Sequence, residues 1–239
     1  MTPVAAGAVI AAGDGSRLSA LGRPKAMVEV AGMPLVERAL RHFQAAGIPR
    51  AVVLFNERDD EPARFVAARF PGFASVLRKT TPNSLESFRA VLAASPPGRI
   101  LVATVDTVCA EEDFAAFVRA AELTAPEETV LAVTTLVADE NPLWVEADGS
   151  GRVRRVGGAP AAAVTAGYYV VSERARAAEP PPGLGRLREF LAWLCDSGEP
   201  MRAVPIANAV DVDRPEDVRL AETLFAPGAS ARAARGGAA

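Results

Sequence analysis

The chain has 239 residues but one histidine, His42, two cysteines, Cys109 and Cys195, and two lysines, Lys25 and Lys79. Each shortage closes a class of chemistry. A lone histidine leaves no second candidate for a histidine-based triad. Two cysteines give neither a disulfide framework nor a zinc-ligand spacing. A metal would therefore be held by carboxylates, which suits Mg²⁺ rather than Zn²⁺. The formal net charge is −3, with both signs spread along the chain, so the basic field that grips nucleic acid is missing. A small basic pocket for phosphates is still compatible with that balance. No apolar run approaches the ~20 residues needed to cross a bilayer. The N-terminus lacks a basic n-region, and glycine and charge interrupt it by residue 14, unlike a signal peptide. The expectation is a cytoplasmic protein that meets neither nucleic acid nor membrane.

What is present is a strand–helix alternation. Val4 to Ala12 is a continuous apolar run, the pattern of a strand buried on both faces of a parallel sheet. Strands are predicted at 28–30, 50–55, near Val76, and at 99–106, 129–137, 162–172 and 201–206. Helices are predicted after Pro34 up to Gly47, at 62–70, within 82–94, at 111–123 and 184–195, and from Pro215 to Phe225. Asn83, with Glu86 three residues on, has the signature of a helix start. Asp148-Gly149 supplies turn chemistry for a hairpin over 143–156. Alternation through the first 137 residues implies a mostly parallel sheet with helices on both faces, and the hairpin adds antiparallel pairing. One domain over 1–226 and a disordered tail over 227–239 are expected, since the tail has little large apolar content.

The stretch "VIAAGDGSRLSALGRPKAM" (9–27) carries the first functional signal. Ligands of open α/β sheets bind at the carboxyl ends of the strands, where Gly13 to Arg17 falls. Glycines let backbone N–H groups approach an anion, and Arg17 offers a fork of donors suited to phosphate. Two familiar phosphate loops do not match: there is no G-x-x-x-x-G-K-[ST], and Leu18 stands where a dinucleotide fingerprint needs its third glycine. On spacing alone, phosphate binding and a strand-to-loop turn with a structural arginine are both open.

The composite "AAGDGSRL" plus "RPKAMVEVAGMPLVERAL" resembles the signature of the nucleotidyltransferase superfamily. That group includes sugar-1-phosphate nucleotidylyltransferases, small cytidylyltransferases and the molybdenum-cofactor nucleotidyltransferases. The resemblance implies a three-layer, Rossmann-like (GT-A-like) α/β domain. It also implies that Ala11, Ala12, Gly13, Gly15, Ser16 and Arg17 hold the nucleotide, and that Lys25 touches its phosphates near the reacting centre. Arg17 and Lys25 are then the catalytic cations, and Asn83 and Ser84 approach the base. Asn83 has an equally good role as a helix N-cap.

Asp106 ends the strand "ILVATVD". From the residues alone it is a helix-capping or loop aspartate as readily as a site carboxylate. The resemblance makes it a Mg²⁺ ligand. It also implies that Asp211 in "DVDRPED" completes the metal site, ahead of Asp213. Arg214 stands where the family usually has threonine. Pro215, Glu216 and Asp217 start the last helix, with acids at its positive end. "TAGYYVVS" (165–172) resembles the strand near the acceptor, so Gly167 and Tyr168 are expected in that pocket. Many sugar-1-phosphate enzymes place a second lysine just before this strand, but here the region reads "VGGAPAAAV". Another acceptor, or another phosphate contact such as Arg154 or Arg155, is needed.

The expected activity is Mg²⁺-dependent transfer of an NMP from an NTP to a small phosphorylated acceptor, in first place a sugar 1-phosphate. The alternatives are a cytidylyltransferase for a phosphoalcohol such as phosphocholine or inositol phosphate, a molybdopterin-type transferase, and a degenerate nucleotide-binding regulatory homologue. Homo-oligomerisation is left open.

Overall fold

A computed structural model describes residues 1–13, 18 and 22–225. Its centre is a sheet in the order β12-β8-β11-β6-β1-β4-β5. Three parallel pairings build one half. β1 (Ala6–Ala11) lies between β4 (Ala51–Phe55) and β6 (Ile100–Thr104), and β5 (Ala74–Arg78) closes that edge. In the other half β12 (Met201–Pro205) runs parallel to β8 (Thr129–Thr134). β11 (Ala163–Val171) joins the halves and is antiparallel to both β6 and β8. The expected hairpin is β9 (Trp144–Ala147) with β10 (Val153–Val156), and β9 extends the sheet along the start of β11.

The apolar run of β1 faces two cores. Val9 and Ala11 pack in one, Ala6 and Ala8 in the other, and all four are buried. The first core lies under α1 (Leu35–Ala45), α2 (Asp60–Arg69), α4 (Glu111–Glu122) and α7 (Pro215–Phe225). The second lies under α3 (Ser84–Ala93) and α6 (Leu187–Asp196) with the hairpin. The result is the three-layer, Rossmann-like arrangement expected from the alternation. Gly7 permits the tight fit on the first side: a Cβ there would lie 2.3 Å from the Phe43 ring of α1.

Several short elements complete the fold, among them the strand expected at 28–30. α5 (Glu173–Ala177) is a single capped turn. β2 (Glu29–Val30) and β3 (Met33–Pro34) form a two-stranded ribbon around Ala31-Gly32. β7 (Thr107–Cys109) and β13 (Ala209–Asp211) form a second ribbon, in antiparallel register. α6 begins at Leu187, three residues later than expected, after the loop that follows Pro180–Pro182. Among the described residues no helix is long and apolar enough to cross a membrane. The expected tail, 227–239, lies outside the described residues.

Candidate active site

The site forms where β1 and β6 end side by side. Ile10 pairs with Thr104, and the Val105 amide donates to the Ile10 carbonyl (3.1 Å). The chain then passes Asp106 and turns into β7. Because β7 pairs with β13 in the register Thr107↔Asp211, a residue 105 positions downstream of Asp106 arrives beside it. The Val212 amide donates to the Asp106 carbonyl (2.9 Å) and fixes the approach. Thr107 Oγ1 donates to Asp211 Oδ1 (2.6 Å), and Thr104 Oγ1 lies 2.8 Å from Thr107 Oγ1.

Gly167 completes the packing. Its φ is +66°, and a Cβ would fall 1.8 Å from Thr107 Oγ1 and 2.7 Å from Thr104 Oγ1. β11 crosses the threonine pair only because it has no side chain there, in a conformation that glycine adopts without cost. The pairing of β11 with β8 shifts register between Thr165 and Tyr169, around this point.

Lys25 opens a single 3₁₀ turn, Lys25–Met27, after Pro24. Ala26 and Met27 are buried in the core and anchor the turn. The lysine side chain is largely buried too, and Nζ lies 2.6 Å from Asp106 Oδ2. It also pairs with Asp213. Burial opposes the charge of the ammonium, but the charges and hydrogen bonds of Asp106 and Asp213 outweigh it and hold the pKa above the usual lysine range.

The two remaining carboxylates differ in state. Burial works against ionisation of Asp106, yet Lys25 more than compensates and keeps its pKa below the ordinary value. Asp211 is pushed up to about 7, first by burial and then by the charge of Asp106. Asp106 Oδ1 is buried without a hydrogen-bond partner. An unpartnered carboxylate oxygen beside a second carboxyl, whose ionised form burial and the first disfavour, is an arrangement that a cation would stabilise. The oxygen donor set fits a hard divalent ion such as Mg²⁺. No group of three or more His, Cys, Asp or Glu side chains placed to hold a metal occurs among the described residues. Two carboxylates would therefore leave the other positions to phosphate and water.

Two cavities meet at Asp106. The larger, about 670 Å³, is lined by Ala12, Gly13 and Lys25 on one side and by Asn56, Thr80 and Thr81 on the other. The smaller, about 490 Å³, includes Asp139, Thr165, Gly167, Tyr169, Arg188 and Asp211 in its wall. They share Asn83, Ser84, Thr104 and Asp106.

Of the expected nucleotide contacts, Ala12, Gly13, Lys25, Asn83 and Ser84 face the larger cavity. Ala11 is buried in β1 and does not line it. Gly15, Ser16 and Arg17 lie outside the described residues. Asn83 is the helix N-cap expected of it and also faces the cavities. Its side chain accepts from the Glu86 amide (2.9 Å) as the N-cap of α3, and it also stands in the wall of both cavities. Ser84 Oγ accepts from the Leu187 amide (3.0 Å), which ties α3 to α6.

Of the two residues expected near an acceptor, Gly167 lines the smaller cavity and Tyr168 does not. Its ring is buried against Phe114, and its hydroxyl donates to the Thr107 carbonyl (3.0 Å). Side chains alternate along a strand, so the next residue, Tyr169, faces the cavity. Arg154 pairs with Asp148. Arg155 pairs with Glu146 and donates to the carbonyls of Gly157 and Ala159. Neither arginine lines the cavity. Arg186 and Arg188, from "GLGRLREF", do. A glycine-bearing loop that leads through arginines into a helix was the signal available for them. It is the same kind of signal that singles out Gly13 to Arg17.

Residues 7–180 match the model of the MobA-like NTP transferase domain. The chain belongs to this family. Its domain is that of an NTP transferase. The chain is 32% identical over 243 residues to a bifunctional IPC transferase and DIPP synthase of Rubrobacter xylanophilus. That alignment takes in 91% of the chain but only 51% of the relative, so the chain spans about half the length of the curated protein it matches. Among solved structures, the inositol-1-phosphate CTP transferase from T. maritima superposes with a TM-score of 0.80 at 16% identity, covering 95% of this chain and 100% of that one. A putative glucose-1-phosphate thymidylyltransferase from Bacillus anthracis, in complex with sucrose, gives 0.78 at 12% identity, covering 92% and 94%. At such identities the likeness concerns the fold. The family match ends at residue 180, ahead of Arg186, Arg188 and Asp211.

Proposed function

We propose that the chain transfers a cytidylyl group from CTP to a polyol phosphate of the inositol 1-phosphate kind and releases pyrophosphate. The observation that carries this reading is the junction of two cavities at Asp106, one beside Gly13 and Lys25, the other beside Gly167 and Tyr169. Such a junction suits a transfer between two phosphates bound at once. The choice of CTP and a polyol phosphate draws on the Rubrobacter relative and the T. maritima structure. It also draws on the missing lysine in 156–164, which weakens the case for a sugar 1-phosphate.

The acceptor's phosphate oxygen attacks the α-phosphorus, and the bond to the β-phosphate oxygen breaks. That oxygen nucleophile is ionised near neutral pH, so no general base is needed. In this reading the backbone of Gly13 and Gly15, with Ser16 and Arg17, cradles the triphosphate. Lys25 supplies a point charge at the reacting phosphate. Asn83 and Ser84 border the base. Asp106 and Asp211 hold Mg²⁺, which when bound neutralises phosphate charge and draws the reacting groups together. Asp106 is already ionised for that role.

A matrix of CTP, UTP, dTTP, ATP and GTP against inositol 1-phosphate, glucose 1-phosphate and phosphocholine tests the reading by Mg²⁺-dependent pyrophosphate release. CTP with inositol 1-phosphate is the expected best pair. Preference for glucose 1-phosphate would return the protein to NDP-sugar synthesis. No release with any pair would make it a nucleotide-binding regulatory homologue.

A further inference from the structure

The acceptor cavity is short of positive charge. Asp106, Asp139 and Asp211 stand in its wall, and a phosphate monoester brings further negative charge, about −1.5 to −2 at pH 7. Lys25 lines the donor cavity and not this one. Arg154 and Arg155 are engaged elsewhere. Among the described residues that line the acceptor cavity, the cations are Arg186 and Arg188.

Both lie at the start of α6, whose position is fixed independently of any ligand. Leu187, between them, is buried, and its amide is held by Ser84. The Glu189 carboxylate accepts from the amides of Gly185 and Arg186 (3.1 and 3.0 Å) and closes the first turn. Arg188 Nη2 donates to the Asn141 carbonyl (2.7 Å). That bond uses one edge of the guanidinium and steadies its stem. Its charge acts on the Tyr169 hydroxyl, as do those of Asp106 and Asp211, which puts it in the same electrostatic neighbourhood as the carboxylate pair. Arg186 is exposed at the cavity rim.

We propose that Arg188, with Arg186 beside it, binds the phosphate of the acceptor and replaces the lysine missing from 156–164. The proposal rests on the reading of the chain as a transferase to a phosphorylated acceptor. A guanidinium presents a planar fork to phosphate oxygens, whereas lysine offers a point charge. An acceptor with a phosphate monoester is therefore favoured over one whose phosphate is a diester, because the monoester leaves terminal oxygens for both the fork and the attack. Arg186 and Arg188 are positioning residues in this scheme: they hold the nucleophile's phosphate and do not touch the α-phosphorus.

Steady-state kinetics on R186Q, R188Q, R188K and the double glutamine variant test this, with melting curves confirming that each is folded. The expected result is an acceptor KM raised about 10- to 100-fold in R188Q, more in the double variant, with the KM for CTP within about twofold of wild type. R188K should recover part of the loss. R186Q removes an exposed side chain and keeps the test informative if R188Q folds poorly through loss of the Asn141 tether. An unchanged acceptor KM in folded variants of an active enzyme overturns the arginine assignment alone. Equal losses for CTP and acceptor also overturn it, in favour of a general structural role. A wild-type enzyme inactive with every pair of the matrix overturns the functional reading, and the arginine assignment falls with it.

Discussion

Asp106 and Asp211 lie in one crevice but on different architecture, and the difference sets their chemistry. Asp106 lies just past the carboxyl end of β6, a central strand of the large mixed sheet, a position that α/β folds reserve for ligand contacts. Lys25 reaches it from the first loop and holds it ionised. Asp211 arrives on a two-stranded ribbon, supported by Thr107, and its carboxyl is pushed up to about 7. Lys25 favours the ionised form of one carboxylate, while burial and the charge of its neighbour favour the protonated form of the other. In the proposed reading the sheet provides the half of the metal site that is already ionised, and the ribbon the half that a cation would ionise.

The contrast can be broken from the sheet side first. Asp106→Ala should reduce turnover by at least about 10³-fold, because it removes the ionised carboxylate at the junction of both cavities. The variant should stay folded, since Lys25 keeps Asp213 as a partner. Near-normal pyrophosphate release would remove Asp106 from the metal site. Lys25→Ala should cost about 10²- to 10³-fold in kcat, the range for losing one charge-stabilising donor. It should also let the Asp106 carboxyl rise, as burial would no longer be opposed. An unaffected kcat would confine Lys25 to a structural ion pair.

The ribbon side responds to smaller changes. Gly167→Ala should destabilise the fold by about 2 to 4 kcal/mol, since the new methyl group meets Thr107 Oγ1 and the backbone is left-handed there. Chemical denaturation would measure it, and a loss under about 0.5 kcal/mol would show that the threonines yield easily. The pH response of Asp211 is the mildest test. Its folded pKa is raised, from 3.8 to about 7. The folded state therefore binds its proton more tightly than the unfolded chain. The stability it contributes is fully present below about pH 4 and is lost as pH rises through 7. In EDTA, the melting temperature of wild type relative to Asp211→Asn should fall over that window. Mg²⁺ should narrow the gap above pH 7, where it binds the ionised group. A difference independent of pH would mean that Asp211 titrates normally.

The two regions were also unequally legible in the sequence. The sheet side is local information: an apolar run, a glycine loop, Pro24-Lys25 and an aspartate at a strand end. Each announces itself within a few residues. The ribbon side depends on a pairing between Thr107 and Asp211, 104 positions apart, in strands of three residues. Strands so short carry no period to detect, and only the family resemblance pointed to Asp211. Tyr168 shows a different limit. Gly167 lines the smaller cavity, but the side chain beyond it depends on the face that strand parity gives each residue. That parity places Tyr168 in the core and Tyr169 in the cavity. Arg186 and Arg188 were passed over because they open a helix with a sufficient apolar rationale of its own, Leu187, Phe190, Leu191 and Leu194 all being buried.

β11 runs against both of its central neighbours, and the two cavities are built from different stretches of the chain. Among the described residues, the wall of the larger is drawn from 10–106, and the smaller adds residues of 139–211 to the four that both share, Asn83, Ser84, Thr104 and Asp106. Substitutions in the lining drawn from 139–211 therefore reshape one cavity and leave the lining of the other unchanged.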